Sequence, residues 1–265
     1  MAAKVTVGLV QMDVLWGDPE GNLSKCRRML DSLGACQVAL LPELWSCSYD
    51  NPNLGLYARS SEECIHQVAD WCSSRTAWCV AGSLPWEEGG LLYNRSFVID
   101  PSGSIEAHYD KVHLFPLLDE PLNFHPGGVP LVGNMGEIPY GVVICYDLRF
   151  PEYFRRIALE GPWVVFICAQ WPASRVDAWR TLLRARAIEN QLYVVAVNRC
   201  GEGGGDLYGG HSMVVAPDGG VLLELGEDEG TATVELDMAI LHRTRKAIRV
   251  FESRRVDLYG FPGEV

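Results

Sequence analysis

The sequence has no excess of positive charge and no apolar stretch long enough to cross a membrane. Its 22 basic and 34 acidic side chains give a formal net charge of −12. This balance argues against partners such as nucleic acid or a membrane surface, because both are bound through a basic footprint. The longest apolar stretch, residues 163–169, is far below the roughly 18 residues that span a bilayer. The N-terminal apolar run is too short for a signal peptide, so we expect a cytoplasmic protein.

The sequence also lacks the cysteine and histidine spacings that are typical of disulfide scaffolds and metal sites. It has nine cysteines, an odd number, and none of them forms a C-x-x-C pair. This pattern indicates a reduced intracellular protein rather than a disulfide framework or a zinc ribbon. No two of the six histidines share a ligand spacing with a carboxylate. We therefore expect no metal and no cofactor.

The sequence does have the composition of a folded α/β protein, with 48% hydrophobic and 10% aromatic residues. Short β-like runs alternate with helical patterns. Strands are predicted at residues 5–11, 37–43, 77–84, 92–100, 141–147, 163–171 and 192–199. Helices are predicted at residues 22–33, 62–74, 151–161 and 174–191. Pro151 at a first turn and Gly161 at a stop support the third helix.

Two ten-residue segments resemble each other. SFVIDPSGSI (96–105) and SMVVAPDGGV (212–221) match at an offset of 116, each as a strand, a turn with Pro and Gly, and a second strand. The chain therefore reads as two related halves, and two sheets packed face to face with helices outside would satisfy the pattern. No linker separates the halves, so we expect one domain over residues 1–265. The Gly-rich segment 201–206 follows a strand without opening a helix, which argues against phosphate binding.

Polar or aromatic residues stand at the carboxyl ends of predicted strands, where α/β folds bind ligands. They are Glu43, Cys145, Trp171 and Asn198. Cys145 lies between a strand and a helix, and such a turn can present a nucleophile and aim the next backbone N–H at an oxyanion. A single cysteine in an apolar run is, however, more often a packing residue. A thiol nucleophile also needs a base and a positive neighbour.

Glu43 and Lys111 each allow two interpretations. A carboxylate directly after an apolar strand is a base or part of an ion pair if buried, and a solvated loop residue if not. Lys111, among apolar residues in YDKVHLFP, either points its ammonium into a polar cavity or extends it to solvent.

Together these residues carry a family resemblance. The motifs LLPELW, YDKVHLFP, VICYDLRFPEYFR and LLRARAIENQLYVVAVNR occur in this order, and the similarity extends from GLVQMD (8–13) to DLYGF (257–261). The chain thus resembles the nitrilase (carbon–nitrogen hydrolase) superfamily. WPASR followed by DAWRTLLRARAIENQ is similar to the ω-amidase branch, which hydrolyses the distal amide of 2-oxo acids such as 2-oxoglutaramate and 2-oxosuccinamate.

The resemblance implies a four-layer αββα sandwich of the nitrilase type with two pseudo-symmetric halves, and a homodimer or higher homo-oligomer. It implies that Cys145 is the nucleophile and Glu43 the general base. Lys111 and the backbone N–H of Tyr146 would stabilise the tetrahedral intermediate. Glu120 would orient Lys111 and hold the amide of the small-molecule substrate. This set gives base, positive charge and nucleophile without histidine or metal.

The substrate pocket is less well defined by the sequence. An anionic 2-oxo acid needs a cationic partner, and Arg175 is the candidate. Arg149 is interpreted as structural, paired with a carboxylate such as Glu152 or Glu189. Trp171 and Tyr49 could form the pocket walls, although buried aromatics are usually core residues.

Other functions are compatible with the same motifs. The substrate could be a different small amide, such as a deaminated peptide amide or an N-carbamoyl compound. A non-catalytic interaction protein could keep the fold, although the intact Glu43, Lys111, Glu120 and Cys145 set argues against it. A redox sensor could use the same thiol.

Overall fold

The computed structural model describes residues 4–259. Its strands are β1 (Lys4–Gln11), β2 (Val38–Leu40), β3 (Trp78–Val80), β4 (Leu84–Glu88), β5 (Leu91–Ile99), β6 (Ile105–Asp110), β7 (Leu131–Met135), β8 (Ile138–Ile144), β9 (Val164–Ala169), β10 (Tyr193–Asn198), β11 (Cys200–Gly203), β12 (Asp206–Gly209), β13 (Met213–Val215), β14 (Val221–Glu224) and β15 (Gly230–Asp237).

The α-helices are α1 (Pro19–Ser32), α2 (Leu54–Ala58), α3 (Ser61–Arg75), α4 (Glu120–Asn123), α5 (Pro151–Leu159), α6 (Val176–Asn190) and α7 (Met238–Ala247). Short 3₁₀ helices lie at Asn51–Asn53, Pro116–Leu118, Cys145–Arg149, Ala173–Arg175 and Val256–Leu258. Within residues 4–259, no helix is long and apolar enough to cross a membrane.

The strands form two large sheets and one small hairpin. The first sheet has the order β15-β1-β2-β3-β5-β4, with β6 also paired to β5, and the second has the order β14-β13-β10-β9-β8-β7. Strands β1, β2 and β3 are parallel, as are β8, β9 and β10. The carboxyl ends of each parallel set therefore lie at one edge of its sheet, which places the residues that follow them close together.

The two sheets pack face to face in one shared core. Val7 and Leu9 of the first sheet belong to the same buried cluster as Ile144 and Phe166 of the second. Strand alternation turns Val10 to the opposite face of the first sheet, where it packs with α1 and α3 residues. Helices α5 and α6 pack on the outer face of the second sheet through side chains such as Phe154, Trp179 and Leu183. The order helix, sheet, sheet, helix confirms the predicted αββα sandwich.

The internal similarity corresponds to a repeated hairpin. Strands β5 and β6 in one half, and β13 and β14 in the other, are joined by turns that close through equivalent hydrogen bonds, Gly103 N to Asp100 O and Gly219 N to Ala216 O. Gly103 and Gly219 both have positive φ, +85° and +90°. These residues are 116 positions apart, so the sequence offset is an offset between equivalent backbone conformations.

Several strand boundaries differ from the sequence-based prediction. The run 37–43 contributes only β2, because Pro42 has no N–H to extend the ladder. The run 77–84 divides into β3 and the start of β4 around Gly82, where φ is +60° and an added Cβ would lie 2.0 Å from the Pro42 carbonyl oxygen. The run 141–147 ends as a strand at Ile144, and a 3₁₀ helix begins at Cys145.

Candidate active site

Three charged side chains that are distant in sequence meet in the interior. The Lys111 ammonium lies 2.8 Å from Glu43 Oε1 and 2.6 Å from Glu120 Oε2. All three side chains are fully buried. Glu43 follows β2, Lys111 follows β6 and Glu120 begins α4. Of the two interpretations allowed for Glu43 and for Lys111, the structure therefore supports the buried one in both cases.

The two carboxylates share further donors. The Tyr49 hydroxyl lies 2.6 Å from Glu43 Oε1 and 3.2 Å from Glu120 Oε1. The Asn94 amide donates to the same two oxygens at 2.9 Å and 3.0 Å. Such donors allow buried carboxylates to remain charged without water. Asn94 was missed by the sequence analysis, because in the sequence it is one polar residue of a predicted strand.

The charges in this cluster stabilise one another. Burial alone would lower the pKa of Lys111, but the carboxylates of Glu120 and Glu43 outweigh burial and hold it above its usual range. Burial raises the pKa of Glu120, and the Lys111 ammonium opposes this rise. Lys111 is therefore a fixed cation in a water-poor site, where a positive charge stabilises a developing oxyanion most strongly.

Cys145 lies at a tight turn at the end of β8. Its φ is +45°, a left-handed conformation that is costly for a residue with a side chain. The thiol is buried, and Sγ lies 3.9 Å from the carbonyl oxygen of Gln170. Burial is the main cause that raises the pKa of this thiol well above its usual range, and the Glu43 carboxylate adds to the rise while Lys111 opposes it. The group therefore rests as a thiol and needs a neighbouring base to react.

Gln170 connects the nucleophile with Glu43. Its backbone N–H donates to Glu43 Oε2 at 2.9 Å, and its side-chain amide donates to the Glu43 carbonyl oxygen at 2.7 Å. The sequence analysis missed this residue because it placed Gln170 inside the strand 163–171. Strand β9 ends one residue earlier, at Ala169.

A cleft opens beside Cys145. Its walls come from the turn after β8, the segment after β9 and the loop before Glu120, and they are Phe115, Cys145, Tyr146, Arg149, Gln170, Trp171, Pro172 and Arg175. Trp171 and Arg175, both predicted as substrate contacts, line it. Tyr49 does not line this cleft in the described part of the chain; it lies in the carboxylate cluster instead.

The two arginines of the cleft lie over aromatic rings. The Arg149 guanidinium lies 4.8 Å from the centre of the Trp171 ring, and that of Arg175 lies 5.6 Å from the centre of the Phe115 ring. Among residues 4–259 neither forms an ion pair. The prediction that Arg149 pairs with Glu152 or Glu189 is wrong, since Glu189 pairs with Arg186 at 2.9 Å. Arg149 lies two residues before the start of α5, and its side chain lines the cleft.

Asn198 fixes the cleft wall at the end of β10. The Asn198 Oδ1 accepts a hydrogen bond from the backbone N–H of Trp171 at 2.6 Å, and the Asn198 amide donates to the backbone carbonyl of Trp171 at 3.1 Å. The residue is a structural support for the cleft rather than part of its surface. Within residues 4–259 no group of three or more histidine, cysteine or acidic side chains is arranged to hold a metal ion.

Comparison with known proteins gives consistent results. The family model for carbon–nitrogen hydrolases matches residues 6–246. The chain is 36% identical to a 2-oxoglutaramate amidase of Bacillus subtilis over 97% of this chain and 100% of that protein. It is 32% identical to an omega-amidase of Escherichia coli K12 over 91% of this chain and 93% of that protein.

A solved structure shows the same architecture. A CN-hydrolase superfamily protein of Xanthomonas campestris, which has an arsenic adduct in its active site, superposes with a TM-score of 0.89 at 30% identity, covering 95% of this chain and 98% of that chain. The family match, the relatives and the fold agree with the motifs read from the sequence. The chain belongs to the carbon–nitrogen hydrolase family.

Proposed function

We propose that this chain is an ω-amidase that hydrolyses the distal amide of a 2-oxo dicarboxylic acid monoamide, such as 2-oxoglutaramate or 2-oxosuccinamate. The observation that carries the proposal is the placement of Cys145 in one cleft with Arg149 and Arg175, backed by the buried Glu43–Lys111–Glu120 cluster. The names of the B. subtilis and E. coli relatives support the same substrate class.

The first step joins proton transfer to attack on the amide. Glu43 takes the thiol proton of Cys145 as sulfur attacks the amide carbonyl carbon, so a free thiolate never accumulates. Glu43 Oε1 is already engaged by Lys111, Tyr49 and Asn94. Glu43 Oε2 accepts only the Gln170 N–H among the described residues. Oε2 is therefore the oxygen with room for the proton.

Lys111 and the backbone N–H of Tyr146 stabilise the tetrahedral intermediate. Tyr146 is the second residue of the 3₁₀ helix that starts at Cys145. N–H groups in the first turn of a helix have no partner within the helix and can therefore donate to an oxyanion. Glu120 keeps Lys111 in place through the 2.6 Å contact and offers a carboxylate to the substrate amide.

The intermediate then collapses in two stages. The C–N bond breaks as the amide nitrogen receives the proton from Glu43, and ammonia leaves a thioester on Cys145. Glu43 next removes a proton from water, which attacks the thioester carbonyl. The C–S bond breaks, the thiol regains its proton, and the second carboxylate of the product forms.

Arg149 and Arg175 supply the charge that selects the substrate. A 2-oxo acid amide carries its carboxylate at the end opposite the scissile amide, so it needs cations at the outer part of the cleft. Guanidinium groups bind carboxylates through two parallel hydrogen bonds. Trp171 and Phe115 support the two guanidinium groups from beneath.

The experiment that tests this function is an ammonia-release panel on the purified protein. The substrates are 2-oxoglutaramate, 2-oxosuccinamate, a neutral aliphatic amide, a deaminated peptide amide, an N-carbamoyl amino acid and a nitrile. We expect the two 2-oxo acid amides to have the highest kcat/KM. A higher value for any other member would overturn the substrate class, and no release from any member would favour a non-catalytic or redox role.

We further propose that the protein is a cytoplasmic homodimer or higher homo-oligomer. All nine cysteines are free in the structure, which suits a reducing compartment. A groove lies between α5 and the segment after α7, and its lining combines charged and polar residues with apolar ones: Glu152, Arg155, Arg156, Leu159, Val250, Ser253, Arg254 and Tyr259. Sedimentation velocity measures the assembly, and a monomer at micromolar concentration would contradict this part of the proposal.

A further inference from the structure

Arg199 is a buried cation that the proposed reaction does not use. It directly follows β10 and is fully buried. Burial lowers its pKa. Its only carboxylate contact among the described residues is with Asp13, at 3.5 Å, and that side chain is 40% exposed. Burying a charge with so weak an ion pair costs free energy. The other hydrogen bonds of the guanidinium must therefore offset that cost.

The guanidinium is held in one orientation. It donates from Nη2 to the Val14 carbonyl at 2.7 Å and to the Glu202 carbonyl at 3.1 Å, and from Nε to the Cys200 carbonyl at 3.2 Å. The Tyr208 ring lies against it, with 4.1 Å between the guanidinium carbon and the ring centre. The remaining nitrogen, Nη1, is therefore aimed at one place.

Nη1 points towards the active site. It donates to the Ser48 hydroxyl at 2.8 Å and to Gln170 Oε1 at 3.4 Å. A guanidinium can only donate, so Ser48 accepts from Arg199 and gives its own hydrogen to Gln170 Oε1, at 2.9 Å.

This pattern fixes the Gln170 amide. Two donors approach its oxygen, and the Glu43 carbonyl approaches its nitrogen at 2.7 Å. The reversed amide would place its NH₂ group against a guanidinium and its oxygen against a carbonyl, so it is excluded electrostatically. The Gln170 backbone N–H then meets Glu43 Oε2, and its carbonyl faces Cys145 Sγ.

We propose that Arg199 is a positioning residue that acts through Ser48 and Gln170 to hold the Glu43 carboxylate at the Cys145 thiol. This inference rests on the proposed function in one respect, the role of Glu43 as the base. Arg199 does not line the cleft. Its loss is therefore expected to reduce kcat, while KM stays within about two-fold.

The test is a double-mutant cycle on the rate at which iodoacetamide alkylates Cys145, measured by peptide mass spectrometry. Alkylation needs the thiol proton to be removed, so it reports on the base even in variants that no longer turn over. We expect R199M to slow alkylation and to reduce kcat by about ten-fold, the effect of one lost hydrogen bond. We expect E43Q to slow alkylation further, and E43Q/R199M to match E43Q, because Arg199 has no base left to position.

Matched variants separate positioning from loss of stability. R245M removes another partly buried arginine, which donates to the carbonyls of Gln191 and Pro162 away from the cleft, and it should alkylate at the wild-type rate. S48A removes the hydroxyl that links Arg199 to Gln170 without a large change in volume, and it should also slow alkylation. It tests the proposal if R199M does not fold.

The results distinguish failure of the positioning role of Arg199 from failure of the role of Glu43 as the base. If E43Q is slow but R199M and S48A alkylate and turn over like the wild type, the positioning role of Arg199 is overturned and the role of Glu43 stands. If R199M lowers the rate by the same factor in the E43Q background as alone, Arg199 does not act through Glu43. If E43Q itself behaves as the wild type, both claims fail.

Discussion

At the scale of single residues, one buried site keeps the Cys145 thiol neutral and the Lys111 ammonium charged. Cys145 is kept protonated by burial, whereas Lys111 is kept charged by the carboxylates of Glu43 and Glu120. A buried thiol with a raised pKa reacts with an electrophile only when a neighbouring base removes its proton. The site therefore depends on proton transfer during attack rather than on a standing thiolate.

This resting state can be measured directly. We expect the difference between the ultraviolet spectra of the wild-type protein and the C145A variant to contain no thiolate absorbance between about pH 6 and about pH 8. The reason is that the pKa of Cys145 lies well above the usual cysteine value. The other eight cysteines are present in both proteins and cancel in the difference. A thiolate step within this range would contradict the account.

Removing Lys111 should affect stability in a pH-dependent way. K111M leaves Glu43 and Glu120 buried without their cation, which costs about 3–5 kcal/mol, and it should abolish ammonia release. Burial already raises the pKa of Glu120, and Lys111 opposes the rise, so the variant raises it further. A carboxyl whose pKa is higher in the folded protein destabilises the fold above that pKa and ceases to do so as the pH falls through it.

The stability deficit of K111M relative to the wild type should therefore be larger at about pH 8 than at about pH 5. Urea unfolding at both values gives the two deficits. Equal deficits would show that neither carboxylate takes up a proton when the lysine is lost.

The cleft arginines predict a change in substrate preference. R175A and R149A should each raise KM for 2-oxoglutaramate by roughly ten-fold to a hundred-fold, since a charge-assisted hydrogen bond is lost, while KM for a neutral amide stays nearly unchanged. R27A removes one positive charge from the exposed side of α1 and is the matched control. Equal effects on both substrates would remove the arginines from carboxylate binding.

The sequence predicted the residues that lie in long motifs and missed those that act through their surroundings. Glu43 and Cys145 follow apolar strands and Lys111 lies in the motif YDKVHLFP, patterns that are visible in the sequence. Gln170 acts through both its backbone N–H and its side-chain amide. Its position depends on where β9 ends, which a run of apolar residues does not define to within one residue. The pairing of Arg149 was predicted wrongly because a sequence does not show which carboxylate a guanidinium meets. In the structure Glu189 pairs with Arg186, and the Arg149 side chain lines the cleft.

At the scale of structural elements, Asp147 ties the nucleophile turn to the segment that carries Lys111. Its carboxylate accepts from the Ile144 N–H at 3.0 Å and the Tyr109 hydroxyl at 2.7 Å, and from the His113 N–H at 2.9 Å. One buried side chain therefore joins β6, the loop after it and the turn that follows β8. This link sets the distance between the nucleophile and the cation.

D147N should weaken both the fold and the reaction. An amide cannot accept all of these donors, so a buried N–H is left without a partner, at a cost of about 1–3 kcal/mol. We expect a lower urea midpoint and a lower kcat. D100N, at the hairpin turn where Asp100 accepts from Ser102 and Ser104, is the control and should lower stability alone. An unchanged kcat in D147N would contradict the link.

The elements themselves were largely predictable, and their ends were not. The repeated hairpins follow from local turn chemistry, with glycine at positive φ in both halves. Helices α3 and α6 lie within two residues of their predicted bounds. The strands end early at Leu40, Val80 and Ile144 because proline, a tight glycine bend and the Cys145 turn interrupt runs that are predicted as continuous strands.

At the scale of the whole molecule, the two sheets share one core and the active site draws from both of them. Glu43 and Lys111 follow strands of the first sheet, and Cys145 and Gln170 follow strands of the second. The net charge of −12 repels an anionic substrate, so its binding depends on the local cations Lys111, Arg149 and Arg175 rather than on the overall field.

The shared core supports the proposal that residues 1–265 form one domain. We expect urea unfolding to give a single transition, coincident by far-ultraviolet circular dichroism and by tryptophan fluorescence, because neither sheet can keep its inner face buried without the other. A plateau between two transitions would indicate two independent folding units.

The central claim is that amide hydrolysis proceeds through a thioester on Cys145. The most direct test mixes the protein with 2-oxoglutaramate, quenches it in acid within the first turnover and records the intact mass. The account predicts an added mass equal to the substrate less ammonia, located on the Cys145 peptide, and neither adduct nor ammonia release with C145A. Ammonia release by C145A would contradict it.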